Sequence, residues 1–263
     1  MRVVVKLGGS LLTESDLLHR MVSQLVELHD HGHKVIVVHG GGKQIKQVLE
    51  KLSLPSQFHQ GLRITDAETM QVVQMVLAGW VNKEIVASFF REGRQAVGIC
   101  GGDGASFLAR KFRGSDGLDP FDYGFVGEVQ EGDSRLLELL MERDYFPIIA
   151  CTALGKDGLY YNINADEMAS AAAILCKADR LVFLTDVPGI YDENRRVIPR
   201  LSWSRLGELR QSGVINEGML PKTRACERAK SAGIGKVHIL GGKEEDGLIR
   251  VLLQGEDLGT LID

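Results

Sequence analysis

Four short apolar runs in this chain end in glycine, and three of them are followed by residues with helical spacing. Val3-Val4-Val5 leads through Lys6-Leu7 into Gly8-Gly9, and Val35–Val38 leads into Gly40-Gly41-Gly42. Ala96–Cys100 leads into Gly101-Gly102, and Val237–Leu240 into Gly241-Gly242. Runs without polar alternation are strands buried on both faces. Ile148–Cys151 and Leu181–Leu184 have the same character. Between them lie helical stripes, such as Leu17, Met21, Leu25 and Leu28 within residues 16–30. Further helices are expected over 43–51, 66–91, 134–143, 166–177, 203–211, 219–232 and 246–254. This alternation predicts an α/β fold with a mainly parallel sheet covered on both faces. The stretch 105–132, with five glycines between short β-like pieces, reads as a hairpin excursion.

At 263 residues the chain suits one large domain or two lobes. We expect a division near residue 165, with residues 1–165 and 166–263 as the lobes. Glycine is abundant, at 31 residues against 6 prolines, without a collagen period or a linker composition. A net charge of −4 gives no electrostatic reason to expect nucleic acid or an anionic membrane as partner. Cys100, Cys151, Cys176 and Cys226 lie far apart, which argues against a disulfide scaffold or a zinc site. The N-terminal apolar stretch is broken by Lys6 and no run approaches a membrane span, so a cytoplasmic protein is expected. His29, His31 and His33 alternate at a helix end, where an exposed turn is favoured over a metal site.

In open α/β sheets, ligands sit at the carboxyl ends of the strands. Glycine loops there either make tight turns or aim N–H groups at an anion. Four such loops favour a phosphate site. The P-loop and the Gly-x-Gly-x-x-Gly fingerprint are both missing, which weakens a P-loop NTPase or a dehydrogenase. Lys6, at a strand end, either reaches solvent or meets negative charge. Lys222 follows Pro221 in a first helical turn, where a cation opposes the helix dipole, so helix stability does not explain it. Asp166 at a helix start reads first as a cap. Thr65-Asp66-Ala67-Glu68 reads as a capping box opening the 66–91 helix, which is apolar nearly all round and so is either a core helix or a subunit interface. Arg63 before it could be an ordinary surface arginine.

Lys6-Leu7-Gly8-Gly9-Ser10 resembles the amino-acid kinase superfamily. His39-Gly40-Gly41-Gly42, Gly61-Leu62-Arg63-Ile64-Thr65-Asp66, Asn162-Ile163-Asn164-Ala165-Asp166, Leu184–Ile190 and Gly218-Met219-Leu220-Pro221-Lys222 narrow it. In this order, from Val3 to about Thr260, they are similar to the acetylglutamate kinase family. The resemblance implies a three-layer αβα sandwich and phosphorylation of the γ-carboxylate of N-acetyl-L-glutamate by ATP with Mg²⁺, in arginine biosynthesis. It implies that Lys6 and Lys222 flank the transferring phosphoryl group, that Asp166 holds both ammonium groups, and that Gly8, Gly9 and Gly41 offer N–H groups. Gly41, Gly42, Arg63 and Asn162 would hold the amino acid in the N-terminal lobe. Thr185, Asp186, Val187, Pro188, Gly189, Ile190 and Tyr191, with Val214, Ile215 and Asn216, would line the nucleotide site in the C-terminal lobe. No protein ligand for Mg²⁺ is assigned. A homodimer through the 66–91 helix is expected, without arginine feedback, because the chain starts two residues before its first strand.

Two departures concern substrate detail: Lys43 after the glycine triplet, and Cys100-Gly101-Gly102-Asp103-Gly104. Alternatives are a kinase of carrier-bound aminoadipate, a non-catalytic amino-acid or nucleotide sensor on the same fold and, more remotely, a glutamate 5-kinase. A carboxylate acceptor is ionised at pH 7. Lysine, glycine and one aspartate then suffice for positioning and charge stabilisation, with no catalytic histidine.

Overall fold

A computed structural model describes residues 1–9, 11–114, 119–213, 215 and 219–263. The first half of the chain runs β1 (Arg2–Leu7), α1 (Ser15–Asp30), β2 (Lys34–His39), α2 (Gly42–Lys51), β3 (Phe58–His59), β4 (Leu62–Arg63), α3 (Ala67–Gln74), a π-helical stretch (Met75–Val81) and α4 (Asn82–Arg91). It continues through β5 (Ala96–Cys100), β6 (Phe107–Lys111), β7 (Val126–Gly132), α5 (Arg135–Glu142), β8 (Phe146–Ala150), β9 (Thr152–Gly155) and β10 (Tyr160–Ile163). The remainder is α6 (Ala165–Leu175), β11 (Arg180–Thr185), β12 (Arg200–Leu201), α7 (Trp203–Gln211), α8 (Leu220–Ser231), β13 (Lys236–Gly241), α9 (Gly247–Leu252) and β14 (Thr260–Ile262).

The apolar runs become one eight-stranded sheet in the order β12-β14-β13-β11-β1-β2-β8-β5. Among its pairs only β13 with β14 is antiparallel. Val3, Val4, Val5 and Val35 to Val38 are essentially inaccessible, as strands covered on both faces require. One helical group is α1 with α4 and α9; another is α6 with α8, and α6 packs on β1, β2 and β11. Residues 1–165 supply β1, β2, β5 and β8, and residues 166–263 supply the other four strands. From β1 the chain moves outward to β2, whereas from β11 it moves the opposite way to β13. The carboxyl ends of β1 and β11 therefore flank a topological switch point, where α/β sheets open a crevice.

Three expectations need correction. The 105–132 excursion is not a free hairpin: β6 and β7 pair antiparallel, but β9 and β10 close them into a four-stranded barrel. Those two strands have only four residues each, so they lack a long apolar run. The helix from residue 67 to 91 is continuous in course but π-helical over Met75–Val81. Its cap is Asp66, whose carboxylate accepts from Thr69 N at 2.8 Å, while Thr65 Oγ1 donates to Arg63 O at 2.8 Å instead of forming a capping box with Glu68. This helix buries Val72, Val73, Leu77, Ile85 and Phe89, yet leaves Met75 59 %, Trp80 40 % and Phe90 79 % exposed.

Candidate active site

The end of β1 carries Lys6, in register with Phe183 of β11 and Val38 of β2. Registered neighbours point to the same face, and α6 lies against these strands. Asp166 stands in the first turn of α6 and Lys222 in the first turn of α8. Lys6 Nζ lies 2.9 Å from Asp166 Oδ1, and Lys222 Nζ donates to Asp166 Oδ2 at 2.9 Å. The Lys222 ammonium also sits 5.2 Å from the centre of the Phe183 ring. All three residues are buried, at 9 %, 8 % and 5 % exposure for Lys6, Asp166 and Lys222. Burial pushes the Asp166 carboxyl up, but Lys6 and Lys222 outweigh it and bring it to about 2. Burial, opposed by Asp166 and reinforced by Lys6, lowers the Lys222 ammonium. The cluster thus keeps three charges out of water by mutual pairing and carries one net positive charge.

Asp166 is not the helix cap. Asn164 takes that place, its Oδ1 accepting from Asp166 N at 2.9 Å and Glu167 N at 3.3 Å. The Asp166 carboxylate is thereby left for the lysines. Sequence reasoning missed Asn164 although an asparagine before an apolar helix is itself a capping signal.

Above this cluster opens a cleft of about 750 Å³. It is lined by Gly8, Gly9, Gly40, Gly41 and Gly42, by Arg63 and Asn162, and by Thr185, Asp186 and Val187. Lys43, one of the two departures, lines it too. Only two of the four glycine clusters reach it. A Cβ on Gly101 would meet Thr152 O at 2.8 Å, and one on Gly242 would meet Leu11 Cδ2 at 2.4 Å, so those glycines serve packing. Gly8 is also a packing glycine, since its Cβ would lie 2.8 Å from Leu184 O. Gly9 and Gly42 differ: a Cβ on Gly9 would come no nearer than 3.8 Å to anything, and one on Gly42 would meet nothing within 4 Å. Their open side is the cleft.

The loop after β2 is held by a buried neutral network. His39 Nδ1 donates to Gly40 O at 2.9 Å, since a carbonyl only accepts, so Nε2 is the acceptor for Asn82 Nδ2 at 3.0 Å. Asn82 Nδ2 also donates to Ile148 O at 2.9 Å. Burial drives the His39 imidazole down to about 4, with the Gly40 hydrogen bond opposing, so it is neutral at pH 7. Asn82 gave no sequence signal, being one asparagine on an apolar helix.

Arg63 is buried rather than an ordinary surface residue; its Nη2 donates to Gly42 O at 3.0 Å and its Nη1 to Ser56 Oγ, with the guanidinium 4.6 Å over the Phe58 ring. Asn162 Nδ2 donates to Thr65 Oγ1 at 3.2 Å. Of the residues expected on the nucleotide side, Thr185, Asp186 and Val187 line the cleft. Pro188 to Tyr191 are not part of its lining; Ile190 N donates to Thr260 Oγ1 at 2.8 Å, and Tyr191 bridges to Val197. Ile215 is buried beneath the end of α7, its N–H on Leu209 O at 3.3 Å. Val214 and Asn216, like Ser10 and Gly218 of the motifs, lie outside the described residues. The four cysteines are buried and unpaired, and His29, His31 and His33 turn to separate partners.

The arrangement of a charged floor under glycine loops at a switch point is that of a phosphotransferase, and the comparisons agree. The chain belongs to the amino acid kinase family, whose sequence profile matches residues 1–241. Among its relatives are acetylglutamate kinases of Mesorhizobium japonicum, 43 % identical over 99 % of this chain and 90 % of that one, and of Agrobacterium fabrum, 44 % identical with the same coverage. A solved structure, smu.665 from Streptococcus mutans UA159, superimposes with a TM-score of 0.81 at 30 % identity, covering 99 % of this chain and 98 % of the other. The N-acetylglutamate synthase of Neisseria gonorrhoeae, with N-acetyl-glutamate and coenzyme A bound, shares the fold at 21 % identity with a TM-score of 0.86, over 59 % of its length. This chain is a kinase.

Proposed function

We propose that the enzyme transfers the γ-phosphoryl group of ATP to the γ-carboxylate of N-acetyl-L-glutamate, giving N-acetyl-L-glutamyl 5-phosphate for arginine biosynthesis. The observation that carries this reading is the buried Lys6–Asp166–Lys222 cluster beneath the glycine-lined cleft. The acceptor is ionised near neutral pH, since a free carboxyl titrates at about 4.3, so no general base is needed. The obstacle is bringing one anion against another. Lys6 and Lys222 flank the transferring group and offset its charge, and Asp166 fixes both ammonium groups. Gly8, Gly9 and Gly41 turn N–H groups to the phosphates and the reacting carboxylate. The P–O bond to the β-phosphate breaks as the bond to the carboxylate oxygen forms, and ADP leaves.

On the acceptor side, Gly41, Gly42 and Asn162 hold the amino acid, and Arg63 forks onto its remaining carboxylate. Two guanidinium donors are engaged and a guanidinium has five, which leaves donors for that purpose. Residues 166–263 take ATP, with Thr185, Asp186 and Val187 at the cleft. Mg²⁺ bound with ATP would offset phosphate charge and would be held chiefly by the nucleotide and water, with no protein ligand assigned. Among the described residues no group of three or more His, Cys, Asp or Glu side chains converges on a metal position, and Asp166 is engaged by two lysines. Location in the cytoplasm belongs to the same proposal; no helix of the described residues is long and apolar enough to cross a membrane.

The test is coupled ADP release from ATP with N-acetyl-L-glutamate, L-glutamate, L-aspartate and carrier-bound aminoadipate. N-acetyl-L-glutamate should be turned over fastest; turnover of another acceptor with none of N-acetyl-L-glutamate would overturn the assignment. The exposed Met75, Trp80 and Phe90 further support a homodimer through the 67–91 helix. Light scattering should give twice the chain mass, and Trp80→Glu should shift it toward monomer; a wild-type monomer would refute this.

A further inference from the structure

Glu167 follows Asp166 on α6, and Arg228 lies six residues after Lys222 on α8, about 9 Å along a helix axis at 1.5 Å per residue. Arg228 Nη1 donates to Glu167 Oε1 at 2.6 Å. Both side chains also reach one backbone residue of the barrel. Val129 N donates to the same Glu167 Oε1 at 3.2 Å, and Arg228 Nη2 donates to Val129 O at 2.6 Å. The three hydrogen bonds close a ring through α6, α8 and β7.

The reason for the ring is visible in the strand pairing. β10 pairs with β7 at Asn162–Val126 and Ile163–Gly127, then turns into the Asn164 cap of α6. Asn162 N donates to Phe125 O, so alternate residues Phe125, Gly127 and Val129 face the β10 side. At Val129 the strand partner has gone, and an N–H and a carbonyl are left at the edge. Glu167 supplies the missing acceptor and Arg228 the missing donor. Burial raises the Glu167 carboxyl, opposed by Arg228 and reinforced by Glu128.

We propose that Glu167 and Arg228 are positioning residues that set the separation of Lys222 from Asp166. The two helices meet in two ion pairs, Lys222 with Asp166 and Arg228 with Glu167. Small buried residues pack α8 against its neighbours, and two ion pairs spaced along α8, with β7 clasping the second, set how far it slides or rolls on α6. Catalysis by charge placement is sensitive to sub-ångström displacement of the charges. The inference rests on the phosphoryl-transfer reading of the cluster, but not on the identity of the acceptor.

The test compares Arg228→Ala, Arg228→Lys and Glu167→Gln with wild type, using the acceptor that wild type turns over. Glu167→Gln keeps an oxygen for both donors and should retain kcat within about 3-fold, whereas Arg228→Ala should lose at least about 10-fold in kcat with both KM values within about 2-fold. Arg228→Lys keeps one of two donors and should fall between them, and it serves if Arg228→Ala does not fold. A crystal structure of the weaker folded variant should show Lys222 Nζ beyond 4 Å, the ion-pair limit, from Asp166 Oδ2. Folded Arg228→Ala and Arg228→Lys with wild-type kcat, losses that appear only in KM, or an unmoved Lys222–Asp166 pair in the weaker of them would overturn the proposal. Inactive wild type on every acceptor would instead overturn the reaction, and the Lys222–Asp166 distance would still decide the clamp.

Discussion

Two polar regions are buried side by side in this molecule, and they use burial in opposite ways. The floor, Lys6–Asp166–Lys222, keeps its charges: the carboxyl stays ionised because two ammonium groups lie 2.9 Å from it. The shoulder, His39–Asn82 beneath the Gly40–Gly42 loop, gives up its charge: burial, reinforced by the Lys83 charge, outweighs the Gly40 hydrogen bond and keeps the imidazole neutral between a carbonyl and an amide. A buried group surrounded by charges of opposite sign remains charged, and one surrounded by dipoles does not. The difference separates chemistry from scaffolding. The floor presents net positive charge to the cleft, and the shoulder holds the loop that frames it.

Breaking the floor should have the largest effect. Asp166→Ala leaves two buried lysines facing each other; we expect turnover below the assay limit and a loss of roughly 3–5 kcal/mol in denaturant unfolding, the range for removing one partner of a buried pair. Lys222→Ala should lower kcat by at least about 100-fold, as for loss of a transition-state charge contact, while circular dichroism shows a folded protein. Near wild-type turnover from either variant would remove the floor from the chemistry.

The shoulder should announce itself through pH instead. The folded His39 pKa of about 4 lies below the unfolded value of 6.5, so the unfolded chain binds a proton first. Stability is therefore full above about pH 6.5 and declines as pH falls toward 4, by roughly 3 kcal/mol for this residue. His238, also lowered to about 4 by burial, adds to the same window. Unfolding free energies measured from pH 7 to 4.5 should fall less steeply in His39→Gln than in wild type; equal slopes would contradict a neutral buried His39.

The smallest effects sharpen the border between the two regions. Gly8→Ala forces a methyl group against Leu184 O and should cost about 1–3 kcal/mol of stability. Gly9→Ala meets no such contact and should leave the melting temperature nearly unchanged, while lowering kcat by about 10-fold or more because the methyl group enters the cleft. Equal thermal losses in both variants would show that Gly9, too, is a packing glycine.

The central sheet was legible because parallel strands buried on both faces need unbroken apolar runs, and Val3–Val5 and Val35–Val38 provide them. Lys222 was legible because it opposes a helix dipole, a local cost that needs a distant explanation. The barrel was half legible. β6 and β7 follow from the glycine-spaced excursion, but β9 and β10 are too short for a periodic signal, and closure depends on pairings between distant segments. Asp166 was ambiguous because its position in the chain suits a cap as well as a ligand of two lysines; only the geometry of Asn164, two residues earlier, separates them. The contact of Ile190 with Thr260 could not be read from either segment alone, because it joins residues seventy positions apart.

The most direct measurement is trapping of the acyl phosphate with hydroxylamine. With ATP and N-acetyl-L-glutamate, the wild-type enzyme should yield the γ-hydroxamate of N-acetylglutamate, none should form when either substrate is omitted, and Lys222→Ala should form it at least about 100-fold more slowly. Absence of hydroxamate from the wild-type enzyme, or its formation by Lys222→Ala at the wild-type rate, would contradict phosphoryl transfer over the Lys6–Asp166–Lys222 floor.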